Sequence, residues 1–162
     1  MPDPGLRQLA HHLADRLARD ELIQGTVTRL RQELQCDRVV LYYFYSHWKG
    51  QVTFESISSP KYSIFGSTGA DDCFNQDYAQ LYREGRIRAI PDVRAEPIHP
   101  CHKEFLEGLK VRANLAVPIL NHDLWGLLIA HDCTSPRSWT TQEIKTMQDA
   151  ANTIASSPTV VS

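Results

Sequence analysis

Two cysteines stand in settings that suit covalent chemistry: Cys73 within Asp71-Asp72-Cys73-Phe74, and Cys101 followed directly by His102. The thiolate is the reactive form of cysteine, a strong nucleophile toward an activated carbon, and a helix N-terminus or a nearby cation lowers the pKa that governs its formation. One thiol beside a carboxylate and one beside an imidazole suggest a covalent ligand held at two points. Either segment alone is ordinary, because cysteine is among the most buried residue types and a Cys-His pair is common core packing. Their order, spacing and surroundings give them weight.

The elements that must position them can be read along the chain. Leu6, Leu9, Ala10, Leu13 and Leu17 form the stripe of an amphipathic helix, and Asp20 is placed to cap a second helical run through Leu22, Ile23, Val27, Leu30 and Leu34. Val39 to Tyr45 and Val52 to Ile57 are rich in β-branched and aromatic residues and read as strands joined near Gly50. Ser58 to Ala70 reads as a loop, Cys73 to Arg83 as a short helix or irregular segment, and Arg86 to Ile90 as a brief strand. Pro100 is suited to open a helix with Cys101 in its first turn. Val111 to Leu120 and Leu124 to Cys133 read as a hairpin around Asn121-His122-Asp123. Thr140-Thr141-Gln142-Glu143 matches a capping box that opens a last helix. Helices flanking a run of strands imply an α+β domain, an antiparallel sheet with helices on one face and a pocket on the other.

Composition narrows the class. The 162 residues suit one domain with a substantial core, 42% hydrophobic and 22% charged, and a net charge of −2 gives no field to recruit nucleic acid or anionic lipid. The longest apolar run, Leu124 to Ala130, is far short of the roughly 20 residues that span a bilayer. With no signal-peptide core at its start and only 4 cysteines, the chain reads as cytoplasmic with reduced thiols, which leaves Cys73 and Cys101 free to react.

Further segments sharpen the reading: Tyr82-Arg83-Glu84-Gly85-Arg86-Ile87-Arg88-Ala89-Ile90, Val111-Arg112-Ala113-Asn114-Leu115, and Leu124-Trp125-Gly126-Leu127-Leu128-Ile129-Ala130-His131. With the two cysteine motifs, they resemble the GAF domain of a cyanobacteriochrome, a bilin-binding photoreceptor of the phytochrome superfamily, in the subgroup with a second cysteine in Asp-Xaa-Cys-Phe. The resemblance runs from about Asp20 to about Ile154. It divides the chain into an N-terminal amphipathic helix (1–19), a GAF bilin-binding domain (20–156) and a polar tail or linker (157–162).

The resemblance implies roles residue by residue. Cys101 would form the thioether to the A-ring of a linear tetrapyrrole, phycoviolobilin or phycocyanobilin, with His102 packed against the pigment. Asp71 would accept from the pyrrole N–H groups, and Cys73 would add reversibly to the central bridge under the lid of Phe74. Asp72 has no assigned role. Arg86 would clamp a propionate with its fork, with Arg88 and Asn114 as weaker candidates. His131 would approach the D-ring carbonyl, and Tyr42 and Phe105 would surround that ring. Trp125 is expected on the same side of its strand as Leu127, Ile129 and His131. Cys36 and Cys133 read as buried structural cysteines.

The implied function is light sensing by Z/E isomerisation, violet or blue to green or orange, with no turnover beyond chromophore attachment. Output would pass to a kinase, cyclase or chemotaxis-type domain, and the terminal helices offer a homodimer contact. Two competing classes are a thiol enzyme of the free methionine sulfoxide reductase kind and a noncovalent small-ligand module such as a cyclic-nucleotide GAF domain. A zinc site from Cys73, His99, Cys101 and His102 is allowed by residue type, but no Cys-x-x-Cys pair or regular histidine spacing accompanies it.

Overall fold

The computed structural model describes residues 3–46, 48–68 and 76–157, so Asp71, Asp72, Cys73 and Phe74 lie outside the described residues. The opening segment, read as two helices, is a single helix, α1 (Pro4–Leu34). Asp3 caps it by accepting from the Gly5 N–H at 2.9 Å, with Pro4 in the first turn. Asp20 does not cap a second helix; its carboxylate meets the neighbouring Arg19 guanidinium at 3.4 Å instead. No proline follows Pro4 within α1, and Gly25 costs only about 1 kcal/mol relative to alanine, too little to break it. The helix ends where Gln35 turns left-handed, at φ 52.

Five antiparallel strands follow, β1 (Arg38–Ser46), β2 (Lys49–Ile57), β3 (Arg88–Ile90), β4 (Ala113–Asn121) and β5 (Asp123–Asp132), in the order β2-β1-β5-β4-β3. Strand alternation sends Val39 and Leu41, Leu115 and Val117, and Leu128 and Ala130 to one face, where they meet Ile23, Val27 and Leu30 of α1. The terminal helix α4 (Thr141–Ala155) adds Met147, Ala151 and Ile154 to this core. Each such large apolar side chain, fully buried, contributes roughly 1.5 to 3 kcal/mol. The capping box of α4 is formed in both directions, Glu143 N–H to Thr140 Oγ1 at 3.1 Å and Thr140 N–H to Glu143 Oε1 at 2.9 Å. Arg137 joins three elements by donating to the Leu34 carbonyl, Glu143 and Asp132.

The other sheet face carries α2 (Gln76–Arg83) and α3 (Pro100–Gly108). A bidentate pair from Arg83 to Asp123, at 2.7 and 3.2 Å, ties α2 to the β4–β5 hairpin, and the same guanidinium lies 4.6 Å above the Trp48 ring. That hairpin turns at His122, φ 60, with Asn121 paired to Asp123. Just beyond the turn, Ile119 pairs with Gly126 and Leu120 with Leu124, so β5 has one extra residue, Trp125. This bulge reverses the side-chain parity. Trp125 therefore packs on the α1 side, its ring 5.1 Å from Tyr43, and not beside Leu127, Ile129 and His131 as strict alternation predicted. Among the described residues, no helix is long and apolar enough to cross a membrane.

Candidate functional site

Between the second sheet face and helices α2 and α3 is a cavity floored by Val40, Ala116, Leu127 and Ile129. Its walls include Tyr42, Tyr78, Tyr82 and Phe105, and its polar groups include His102, Asn114 and His131. A wider depression near Lys61, Lys103 and Lys110 is polar and open, whereas this one is predominantly apolar with buried polar groups at one corner. That combination marks a ligand site more strongly than size does. The enclosed volume is about 90 Å³, room for a few waters.

Cys101 stands in the first turn of α3, as Pro100 predicted. His99 caps that turn, its Nδ1 accepting from the Cys101 N–H at 3.1 Å. His102, next in the helix, lines the cavity and stacks with Tyr78, ring centroids 6.1 Å apart and planes 23° apart. Burial first, then the positive charges of Arg88 and Arg86, drives the His102 pKa down to about 4.

Arg86 and Arg88 are both half-buried, outside the cavity lining but close enough to act on His102 and Tyr82. Neither guanidinium makes a hydrogen bond or ion pair among the described residues. Arg112, by contrast, is spent on Asp92 at 2.7 and 3.1 Å. Burial pushes the Tyr82 phenol up to about 12, which keeps it a neutral hydroxyl.

Asn114 and His131 face each other across β4 and β5, Oδ1 to Nε2 at 3.0 Å, with 3% and 2% of their surfaces exposed. His131 Nδ1 accepts from Arg38 Nε at 3.1 Å, so both ring nitrogens have partners. The sequence-predicted residues thus divide. Tyr42, His102, Phe105, Asn114 and His131 share the cavity; Cys101, Arg86 and Arg88 lie around it; Asp71, Cys73 and Phe74 are outside the described residues. Sequence reasoning missed Arg38, Tyr78 and Tyr82. Arg38 carried a signal, since it has the same strand parity as the cavity-facing Val40 and Tyr42.

Cys36 is buried and Cys133 only half-buried, both free, with burial pushing each thiol up to about 11. Neither is an activated nucleophile. Among the described residues, no cluster of three or more His, Cys, Asp or Glu could hold a metal ion.

Comparison with known proteins gives a consistent result. The family model of the GAF domain matches residues 18–157. An uncharacterised protein of Picosynechococcus sp. (strain PCC 7002) is 46% identical over 156 residues, covering 96% of this chain and 96% of that protein. A protein of Synechocystis sp. (strain PCC 6803), named as a methyl-accepting chemotaxis protein, is 36% identical over 140 residues; the match spans 86% of this chain but only 14% of that protein. Among solved structures, the blue-light absorbing form of the Thermosynechococcus elongatus PixJ GAF domain superposes with a TM-score of 0.82 at 35% identity, covering 88% of this chain and 86% of that one. The phycocyanobilin-bound GAF domain of a cyanobacterial phytochrome gives a TM-score of 0.77 at 28% identity, covering 94% of this chain and 92% of that one.

Proposed function

Because the chain belongs to the GAF domain family, we propose that it is a light-sensing domain that holds a linear tetrapyrrole in the cavity between the sheet and helices α2 and α3. The observation that carries this reading is the cavity itself: apolar walls, His102 directly after a cysteine in the first turn of α3, and two arginines with no partner among the described residues close by. A tetrapyrrole is long, planar and largely apolar, with polar nitrogens and two propionates. The lining offers a surface of each kind. Its supply when bound is light absorption and double-bond isomerisation.

The roles of this chain follow. Cys101 anchors the pigment, and His102 packs on it as a neutral ring above pH 4. Arg86 and Arg88 offer forks to the propionates, each charge-assisted contact being worth about 1.5 to 3 kcal/mol. Tyr42 and Phe105 flank the ring farthest from the anchor. Asp71, Cys73 and Phe74 keep the roles implied by their motif: Asp71 accepts from the pyrrole N–H groups, and Cys73 is a second, light-reversible attachment that shortens the conjugated path and gives a violet or blue state. The pigment is phycocyanobilin or phycoviolobilin, and output goes to a signalling domain such as the chemotaxis type named for the Synechocystis relative.

Co-expression with enzymes that make phycocyanobilin, followed by purification under reducing conditions, tests this reading. A coloured, photoconverting protein is expected, with zinc-induced fluorescence on a denaturing gel that Cys101→Ala greatly weakens. Cys73→Ala should retain the pigment but lose the violet or blue state. Arg86→Ala should lower loading more than Arg88→Ala. A colourless protein that reduces methionine sulfoxide would refute the proposal.

A further inference from the structure

Arg38, His131 and Asn114 form one cross-strand row on the cavity face. His131 of β5 is paired with Arg38 of β1 on one side and with Asn114 of β4 on the other. Arg38 is 0% exposed and makes no ion pair among the described residues. Its guanidinium donates instead to the Tyr62 carbonyl at 2.7 Å, the Leu109 carbonyl at 2.7 Å and His131 Nδ1 at 3.1 Å. A buried cation without a carboxylate costs several kcal/mol of desolvation, partly offset by those acceptors. Its position therefore calls for a role.

The direction of the row is fixed from its charged end. A guanidinium has donors and no acceptor, so His131 Nδ1 must accept and the ring proton must lie on Nε2. Nε2–H then donates to Asn114 Oδ1 at 3.0 Å. That contact orients the amide, whose N–H₂ group is left toward the Arg88 carbonyl, at 3.5 Å, and the cavity. Burial and the adjacent Arg38 charge hold the His131 pKa well below the usual imidazole range, which removes the doubly protonated alternative. The ionisable groups that share the cavity with His131 are Tyr42 from β1, Tyr78 and Tyr82 from α2 and His102 from α3, with no carboxylate among the described lining residues.

We infer that Arg38 is a positioning residue for the cavity: it fixes His131 as an Nε2–H donor and turns the Asn114 amide N–H groups outward, so that the polar corner receives a carbonyl oxygen of the ligand and not an N–H. The ligand half rests on the proposed function. The row itself is a property of the unloaded chain.

Nitrogen-15 NMR of unloaded protein labelled in histidine and arginine tests the row directly. The expected result is a scalar coupling across the hydrogen bond between Arg38 Nε–H and His131 Nδ1, with His131 as the neutral Nε2–H tautomer. A ring protonated on Nδ1, or on both nitrogens, overturns the inference. Arg38→Lys keeps the charge but loses the planar fork, and should give mixed His131 tautomers with native circular dichroism. A folded variant whose ring stays wholly Nε2–H overturns the part assigned to Arg38. Should that variant not fold, the wild-type coupling decides, and its absence overturns the assignment. With phycocyanobilin loaded, Arg38→Lys should shift the absorption band while Cys101 retains the pigment, and an unshifted band overturns the carbonyl specificity. Failure of the wild type to bind phycocyanobilin sinks the proposed function and leaves the NMR result to judge the row.

Discussion

Burial holds the His102 imidazole unprotonated down to about pH 4, while in the unfolded chain the same ring takes up its proton near pH 6.5. Between those values the unfolded state binds more protons, so stability must fall as the pH is lowered through that window. The wholly buried His131 acts with the same sign. Urea unfolding at pH 6.5 and at pH 5 should therefore show the protein losing stability in mild acid, and His102→Gln should flatten that dependence without removing it. An equal slope in the variant would mean that His102 is solvated. At this scale the sequence was readable where chemistry is local. Pro100, Cys101 and His102 announced a helix start with a thiol in its first turn, and the structure has that helix. Arg38 was readable only as a strand residue of the same parity as Val40 and Tyr42, because its importance depends on a register that brings positions 38, 131 and 114 into one row. Nothing near Arg38 in sequence discloses its neighbours.

Strand identity was legible from period-two patterning, but strand geometry was not. The side on which Trp125 lies depends on a one-residue bulge that alternation cannot reveal, and the continuity of α1 depends on the lack of any backbone stop near Asp20. Two glycines test how the elements are held. A Cβ on Gly126 would lie 2.7 Å from the Tyr42 carbonyl oxygen, at the last pair of the β1–β5 ladder, where the neighbour is backbone and cannot swing aside. Gly126→Ala is expected to destabilise by about 1 to 3 kcal/mol. Gly25, exposed in α1 with nothing within 4 Å of its would-be Cβ, has no such neighbour, and Gly25→Ala should stabilise by about 0.5 to 1 kcal/mol. Thermal unfolding of both variants checks the pair. A stabilising Gly126→Ala would mean that the two strands are farther apart than described.

Across the whole molecule, stability is concentrated in the layer between the sheet and the paired helices α1 and α4. Leu30, 1% exposed, belongs to that layer, and Leu30→Ala should cost about 2 to 5 kcal/mol. Leu6, Leu9, Leu13 and Leu17 are 50 to 64% exposed, so removing residues 1–17 should leave the unfolding midpoint within about 2 °C of the intact chain. A large drop on truncation would show that this half of α1 is covered in solution. The α+β class was open to inference from the order of elements, whereas the strand order β2-β1-β5-β4-β3 was not, since it is set by contacts distant in sequence. The division of α1 into a seated half and a free half has a mechanical consequence. At about 1.5 Å per residue, the 31-residue rod is about 46 Å long, with roughly 28 Å of it extending beyond Ile23. Such a rod is a lever whose fulcrum is the sheet: a tilt of about 5° in its seated part would carry Pro4 through about 2.5 Å, by the same rise per residue.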